Sequence, residues 1–199
     1  MRKQVSLVLS VLLVLLLGSC KKEAQSAEVI TIRDTVYVPD TSVIPALVSD
    51  TTTTLIVLRH ADVVNGGSDP GLSSAGIVRA EEVARLLSNV PVAAIYTTPF
   101  NRTRQTVQPL AAAKSLSISE YDSNKPYPDL VKEIITATHG KVAVIVGHSN
   151  TVPEILRELS NNSFNTTIGE NQYDNLFIVS IPDDLSARIT HLKYGEPTP

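Results

Sequence analysis

The sequence predicts an α/β domain of three layers, with a mostly parallel central sheet covered by helices on both faces. Three observations lead there. The runs Leu55-Ile56-Val57-Leu58 and Val142-Ala143-Val144-Ile145-Val146 are continuously apolar and rich in Val and Ile, as strands buried on both faces are. Stretches between such runs repeat their apolar residues at helical spacing. Strand and helix signals alternate along the chain, the pattern of a parallel sheet with crossover helices.

The first strand is read at 55–58 and runs into Arg59-His60. Asn65-Gly66-Gly67 and Asp69-Pro70-Gly71 mark a loop, after which Ser73 or Ser74 caps a helix with Ile77, Ala80, Val83, Ala84 and Leu87 facing inward. A second strand is expected at 92–96 and a helix at 101–114, with Val107, Leu110 and Ala111 on one face and Pro109 as a potential kink. A third strand is read at 115–121 and a helix at 128–138, with Leu130, Ile134 and Ile135 inward and His139-Gly140 closing it. The strand that ends at Gly147-His148 follows, then a short helix at 153–159 and strands at 176–181 and 187–192. In an open parallel sheet the ligand crevice lies outside the carboxyl ends of the strands. His60, His148 and Arg59 are therefore aimed at one crevice.

The chain divides into residues 1–20, 21–52 and 53–195. Arg2 and Lys3 precede a short apolar stretch that closes with Leu17-Gly18-Ser19-Cys20. The stretch is shorter than the roughly 20 apolar residues a bilayer span needs, so it reads as an export signal. Its ending resembles the bacterial lipobox, in which the cysteine is lipidated and becomes the new N-terminus. Lys21 after it favours, by resemblance to Gram-negative lipoproteins, the outer membrane. Cys20 is the one cysteine of the 199 residues, so an exported domain would have no internal disulfide and would depend on packing. Residues 21–52 have weak periodicity and read as a tether, with 29–32 and 35–38 able to add an edge strand. A net charge of −3 and 5% aromatic residues leave neither an electrostatic nor a stacking footprint for nucleic acid.

The second strand is followed by Thr97-Thr98-Pro99-Phe100-Asn101-Arg102-Thr103-Arg104-Gln105-Thr106, which sets an arginine at a helix start. With Arg59-His60-Ala61, the helix start at Leu72 to Gly76, and Gly147-His148-Ser149, this series resembles the histidine phosphatase superfamily, branch 1, with its phosphoglycerate mutase-like fold. The likeness covers nearly all of residues 54–181, in family order and spacing, and the short chain resembles small phosphohistidine-phosphatase-type members. The resemblance implies that His60 is a nucleophile taking a phosphoryl group on a ring nitrogen. Arg59 and Arg102 would bind the phosphate, His148 would hydrogen-bond it, and a backbone N–H around Ser149 would add a donor. The substrate class implied is a phosphorylated small molecule or a phosphoprotein, and no cofactor or metal is called for. Phosphoryl transfer needs mainly positioning and charge stabilisation, which guanidinium forks supply bidentately.

Three departures from the family pattern bear on activity. Ala61 stands where glycine is common, a small change. Asp62-Val63-Val64-Asn65 lacks the mutase signature. The glutamate that many members use as proton donor after the third strand has no clear equivalent, which leaves Asp122 and Asp62 as candidates, with Glu120 behind them. Arg104 is expected to be a solvated or structural arginine. Two other functions fit parts of the sequence: a catalytically degenerate phosphate-binding lipoprotein, and a serine hydrolase with Ser149 as nucleophile and Asp174 or Asp183 and His191 completing a triad.

Overall fold

The computed structural model describes residues 51–199. Residues 1–20 with Cys20, and the 21–52 stretch up to residue 50, lie outside the described residues. Ten elements follow in order: β1 (Thr53–Arg59), α1 (Ser74–Leu86), β2 (Val92–Thr97), α2 (Asn101–Lys114), β3 (Ile118–Glu120), α3 (Tyr127–Ala137), β4 (Val142–Gly147), α4 (Thr151–Leu159), β5 (Asn175–Ile181) and β6 (Arg188–Lys193). The sheet order is β3-β2-β4-β1-β5-β6. Among the described residues no helix is long and apolar enough to cross a membrane.

Side chains alternate across a strand, so β1 serves two cores. Leu55 and Val57 pack with Ala143, Ile145 and Phe177 beneath α3 and α4, whose Leu130, Ile134, Ile155 and Leu156 complete that cluster. Ile56 and Leu58 pack on the other face with Val144 and Val146 beneath α1 and α2, through Val83, Val107 and Leu110. The three expected layers are present.

The direction of one strand differs from expectation. β1, β4, β2 and β3 pair in parallel, whereas β5 is antiparallel to both β1 and β6, so the sheet is mixed. The cause lies in residues 160–174, which return the chain without a helix from the end of α4 to the carboxyl end of β1. β5 consequently starts where β1 ends, with Leu176 opposite Leu58. The third strand is shorter than the alternation at 115–121 suggests, because β2 offers it partners only from Ile95 to Thr97. α2 runs through Pro109 to Lys114.

The start of α1 is fixed by local chemistry. Ser73 caps it by accepting a hydrogen bond from Gly76 N (3.2 Å), and Ser73 N donates to the Asp62 carbonyl (2.9 Å). A Cβ on Gly76 would land on that same carbonyl oxygen, so glycine is what lets the helix seat against the loop that follows His60. Ile77, expected inward, is 53% exposed and borders an apolar cavity of about 470 Å³ between α1 and α2.

Candidate active site

The carboxyl ends of β1, β2 and β4 meet at a cleft of about 580 Å³ whose walls include Arg59, His60, Arg102, His148, Glu170 and Tyr173. Two backbone links hold the strand ends in register. His60 N donates to the Gly147 carbonyl (2.9 Å), extending the β1–β4 pairing by one residue and bringing the two histidine-bearing turns together. Ala61 N donates to Thr106 Oγ1 (2.8 Å), whose hydroxyl donates to the Arg102 carbonyl (2.7 Å), so the first turn of α2 is fastened beside His60. Gly147 is needed at this crossing, since a Cβ there would meet Thr151 and Tyr121 side chains.

His60 is 5% exposed, and its Nδ1 lies 2.8 Å from the Ala61 carbonyl. A carbonyl oxygen only accepts, so Nδ1 carries the ring proton and Nε2 keeps its lone pair. Burial, joined by repulsion from Arg59, His148 and Arg102, lowers the His60 pKa to about 3. The ring is thus a neutral, oriented imidazole at physiological pH. His148 stands 5.5 Å away, centroid to centroid and edge-on, with its Nε2 2.9 Å from Thr98 Oγ1. Burial and the two arginines lower its pKa to about 4.

Arg59 is 3% exposed and has two jobs by geometry. One terminal nitrogen, Nη1, donates to the carbonyls of Gly169 (2.7 Å) and Gln172 (3.1 Å), which ties down the turn before β5. Nε is buried without a partner, and Nη2 is 4.0 Å from Glu170 Oε2. The Nε/Nη2 edge sets two donors side by side, a spacing that matches two oxygens of an oxyanion. The guanidinium stacks 4.2 Å over the Tyr173 ring. Burial pulls its pKa below the ordinary arginine value, opposed by Tyr173 and Glu170. Arg102 is oriented by the Phe100 ring (4.4 Å) and by Asp69 (3.6 Å).

The structure brings Arg59, His60, Arg102, His148 and Ser149 to this cleft, and leaves the expected proton donors out of it. The Asp62 carboxylate is held by Arg79 of α1 (2.7 Å), itself anchored to the Tyr194 and Glu196 carbonyls. Asp122 accepts from Asn124 N (2.9 Å) in a turn that presents Ser123 and Asn124 to the cleft instead. Glu120 pairs with Arg104 (2.7 Å) on the surface, in line with a structural Arg104. A serine triad is not assembled either. His191 Nε2 meets Asn175 Oδ1 (2.8 Å), Asp174 pairs with Lys193, and Asp183 with His139. β6 is three strands from β4, roughly 14 Å at ordinary strand spacing, so His191 does not reach Ser149. Sequence reading missed Thr98, Glu170 and Tyr173. The signal for the last two was a 15-residue connection, 160–174, of a length that is usually functional.

The two depressed histidines make folding acid-sensitive. An unfolded histidine takes a proton near 6.5, while these remain neutral in the folded protein down to about 4 (His148) and about 3 (His60). Stability is therefore full above about pH 6.5 and falls as pH drops through that window, by on the order of 2 kcal/mol for His60 at about pH 4.5. Thermal melts at neutral pH and about pH 4.5 should show His60→Gln losing less Tm on acidification than wild type. Equal losses would contradict the assignment.

Residues 55–123 match the model of the histidine phosphatase superfamily (branch 1). No curated protein sequence matches the chain. Among solved structures, the protein histidine phosphatase SixA complexed with tungstate aligns with TM-score 0.61 and 16% identity, over 70% of this chain and 96% of that one. The glucosyl-3-phosphoglycerate phosphatase of mycobacteria aligns with TM-score 0.59 and 14% identity, over 72% and 100%. A phosphoserine phosphatase from Entamoeba histolytica aligns with TM-score 0.58 and 15% identity, over 72% and 98%. These identities speak for the fold. The chain thus has the phosphoglycerate mutase-like fold and, over residues 55–123, the sequence pattern of the histidine phosphatase superfamily, branch 1.

Proposed function

We propose that this chain is a phosphatase that hydrolyses phosphomonoesters or phosphoramidates through a phosphohistidine on His60, without a cofactor. The observation that carries this reading is the buried neutral imidazole of His60, with Nδ1 taken by the Ala61 carbonyl, in one cleft with Arg59, Arg102 and His148. The arginines bind the phosphoryl oxygens, and burial first, with their charge second, keeps the nucleophile unprotonated. Nε2 attacks phosphorus, the leaving group departs, and water hydrolyses the phosphoenzyme in a second step. His148 hydrogen-bonds the phosphoryl group, with the turn at Ser149 beside it.

The cleft is open, with no large cap among the described residues, which supports a bulky substrate such as a phosphoprotein beside small phosphorylated molecules. The likeness to a protein histidine phosphatase points the same way. We further read residues 1–20 as a lipoprotein signal, Cys20 as the lipidated residue and 21–52 as the tether of an exported protein at the outer membrane. Labelling with a radioactive fatty acid, lost in Cys20→Ser, tests that part.

The enzymatic reading is tested by p-nitrophenyl phosphate hydrolysis in a chelator-containing buffer, with vanadate as inhibitor. Histidine-dependent, vanadate-sensitive turnover is the expected result. Turnover absent while vanadate still raises Tm would assign a phosphate receptor instead. Arg102→Ala should raise the vanadate inhibition constant about 10- to 100-fold, the loss expected for one charge-assisted contact. An unchanged constant would remove Arg102 from the phosphate site.

A further inference from the structure

We propose that Glu170 is the proton donor to the leaving group of a phosphomonoester bound at Arg59 and His60; the proposal rests on the reading of His60 as phosphoryl acceptor. Among the described residues lining the cleft, Glu170 is the one carboxylate. The neighbouring carboxylates are engaged elsewhere: Asp62 by Arg79, Glu120 by Arg104, Asp122 by its own turn, and Asp69 by Asn101 N and Arg102. Glu170 combines a fixed stem with a free head. Its turn is closed by Gln172 N donating to the Gly169 carbonyl (3.0 Å) and Gly169 N donating to Gln172 Oε1 (3.0 Å). The turn is bolted to the phosphate-binding side by Arg59 Nη1. The carboxyl head is 90% exposed, 4.0 Å from Arg59 Nη2, with room to swing to a leaving group that projects out of the cleft.

The charge pattern suits this role. Arg59 Nη2 holds the Glu170 head beside the cleft at 4.0 Å, and a phosphoryl group that takes up the charge of Arg59 frees that head to turn toward the leaving group. In the first step the Glu170 proton passes to the ester oxygen as the P–O bond breaks and the bond from phosphorus to His60 Nε2 forms, and an alcohol leaves. In the second step the Glu170 carboxylate accepts a proton from water as the water oxygen bonds to phosphorus and the P–N bond breaks. Phosphate departs and both residues are restored.

General acid assistance matters for alkoxide leaving groups and little for p-nitrophenolate, and this contrast is the test. The purified full-length chain and its Glu170→Gln variant are assayed on glycerol 2-phosphate and p-nitrophenyl phosphate, with His60→Ala alongside. The expected result, read in kcat/KM because this constant reports leaving-group departure and not the later attack of water, is a fall of at least about 100-fold on the alkyl ester, a change below about 3-fold on the aryl ester, and partial recovery of the alkyl value in Glu170→Asp. A Tm equal to that of wild type certifies folding of the variant. Equal losses on both esters, no loss on either, or a wild type that turns over only the aryl ester would overturn the role of Glu170. A wild type inactive on both esters, or a fully active His60→Ala, would instead overturn the phosphatase reading, and this proposal with it.

Discussion

Replacing His60 by alanine is expected to lower turnover of any phosphomonoester by at least about 10⁴-fold, because the change removes the only step in which a protein atom bonds to phosphorus. The residual rate would come from Arg59 and Arg102 polarising the ester for direct attack by water, which lacks an oriented nucleophile. Folding should survive. The ring makes one side-chain hydrogen bond, to Ala61, and His60 N stays paired with the Gly147 carbonyl whatever the side chain. Inorganic phosphate raising the Tm of His60→Ala, with phosphoenzyme trapped from wild type by acid quench and absent from the variant, would separate a lost nucleophile from a lost site. A variant within about tenfold of wild type would mean that phosphoryl transfer does not pass through this residue.

The centre of this site was legible in the sequence because it follows from the sheet. Leu55 to Leu58 and Val142 to Val146 have no polar alternation, which marks buried central strands, and whatever follows such strands stands at the crevice. Arg59, His60 and His148 were placed by that logic alone, and Arg102 by the helix start after β2. The two proton-donor candidates stand outside the cleft lining for a reason of the same kind. Asp62 and Asp122 also follow strands, but Arg79, on α1 and 17 residues further along the chain, reaches back to Asp62, and Asn124 closes a turn on Asp122. Side-chain partners of that sort are set by tertiary packing that no strand pattern encodes. The direction of β5 was hidden likewise. Residues 160–174 carry neither helical nor strand periodicity, yet their return to the carboxyl end of β1 both reverses β5 and delivers Glu170 and Tyr173 to the cleft.

Arg59→Ala is expected to be nearly as damaging as loss of the nucleophile, with kcat/KM on p-nitrophenyl phosphate reduced about 10³-fold or more. One part of that loss is the fork itself. Lysine cannot present two donors side by side, so Arg59→Lys should recover little, whereas a role as a mere positive charge would be rescued by it. A second part is positional. Without Nη1 the carbonyls of Gly169 and Gln172 lose their donor, Tyr173 loses the guanidinium it stacks on, and the turn bearing Glu170 is released. A third part concerns the proton on His60. Arg59 is one of the charges that, after burial, hold this histidine at about 3, so its removal lets the pKa rise toward the ordinary value and moves the acid limb of kcat/KM to higher pH. The rate loss should accordingly be accompanied by a shifted pH profile in both Arg59→Ala and, more weakly, Arg102→Ala. A lysine variant with wild-type rate would show that Arg59 acts as a positive charge and not as a bidentate fork, and an alanine variant with an unmoved acid limb would show that its charge does not act on the His60 proton.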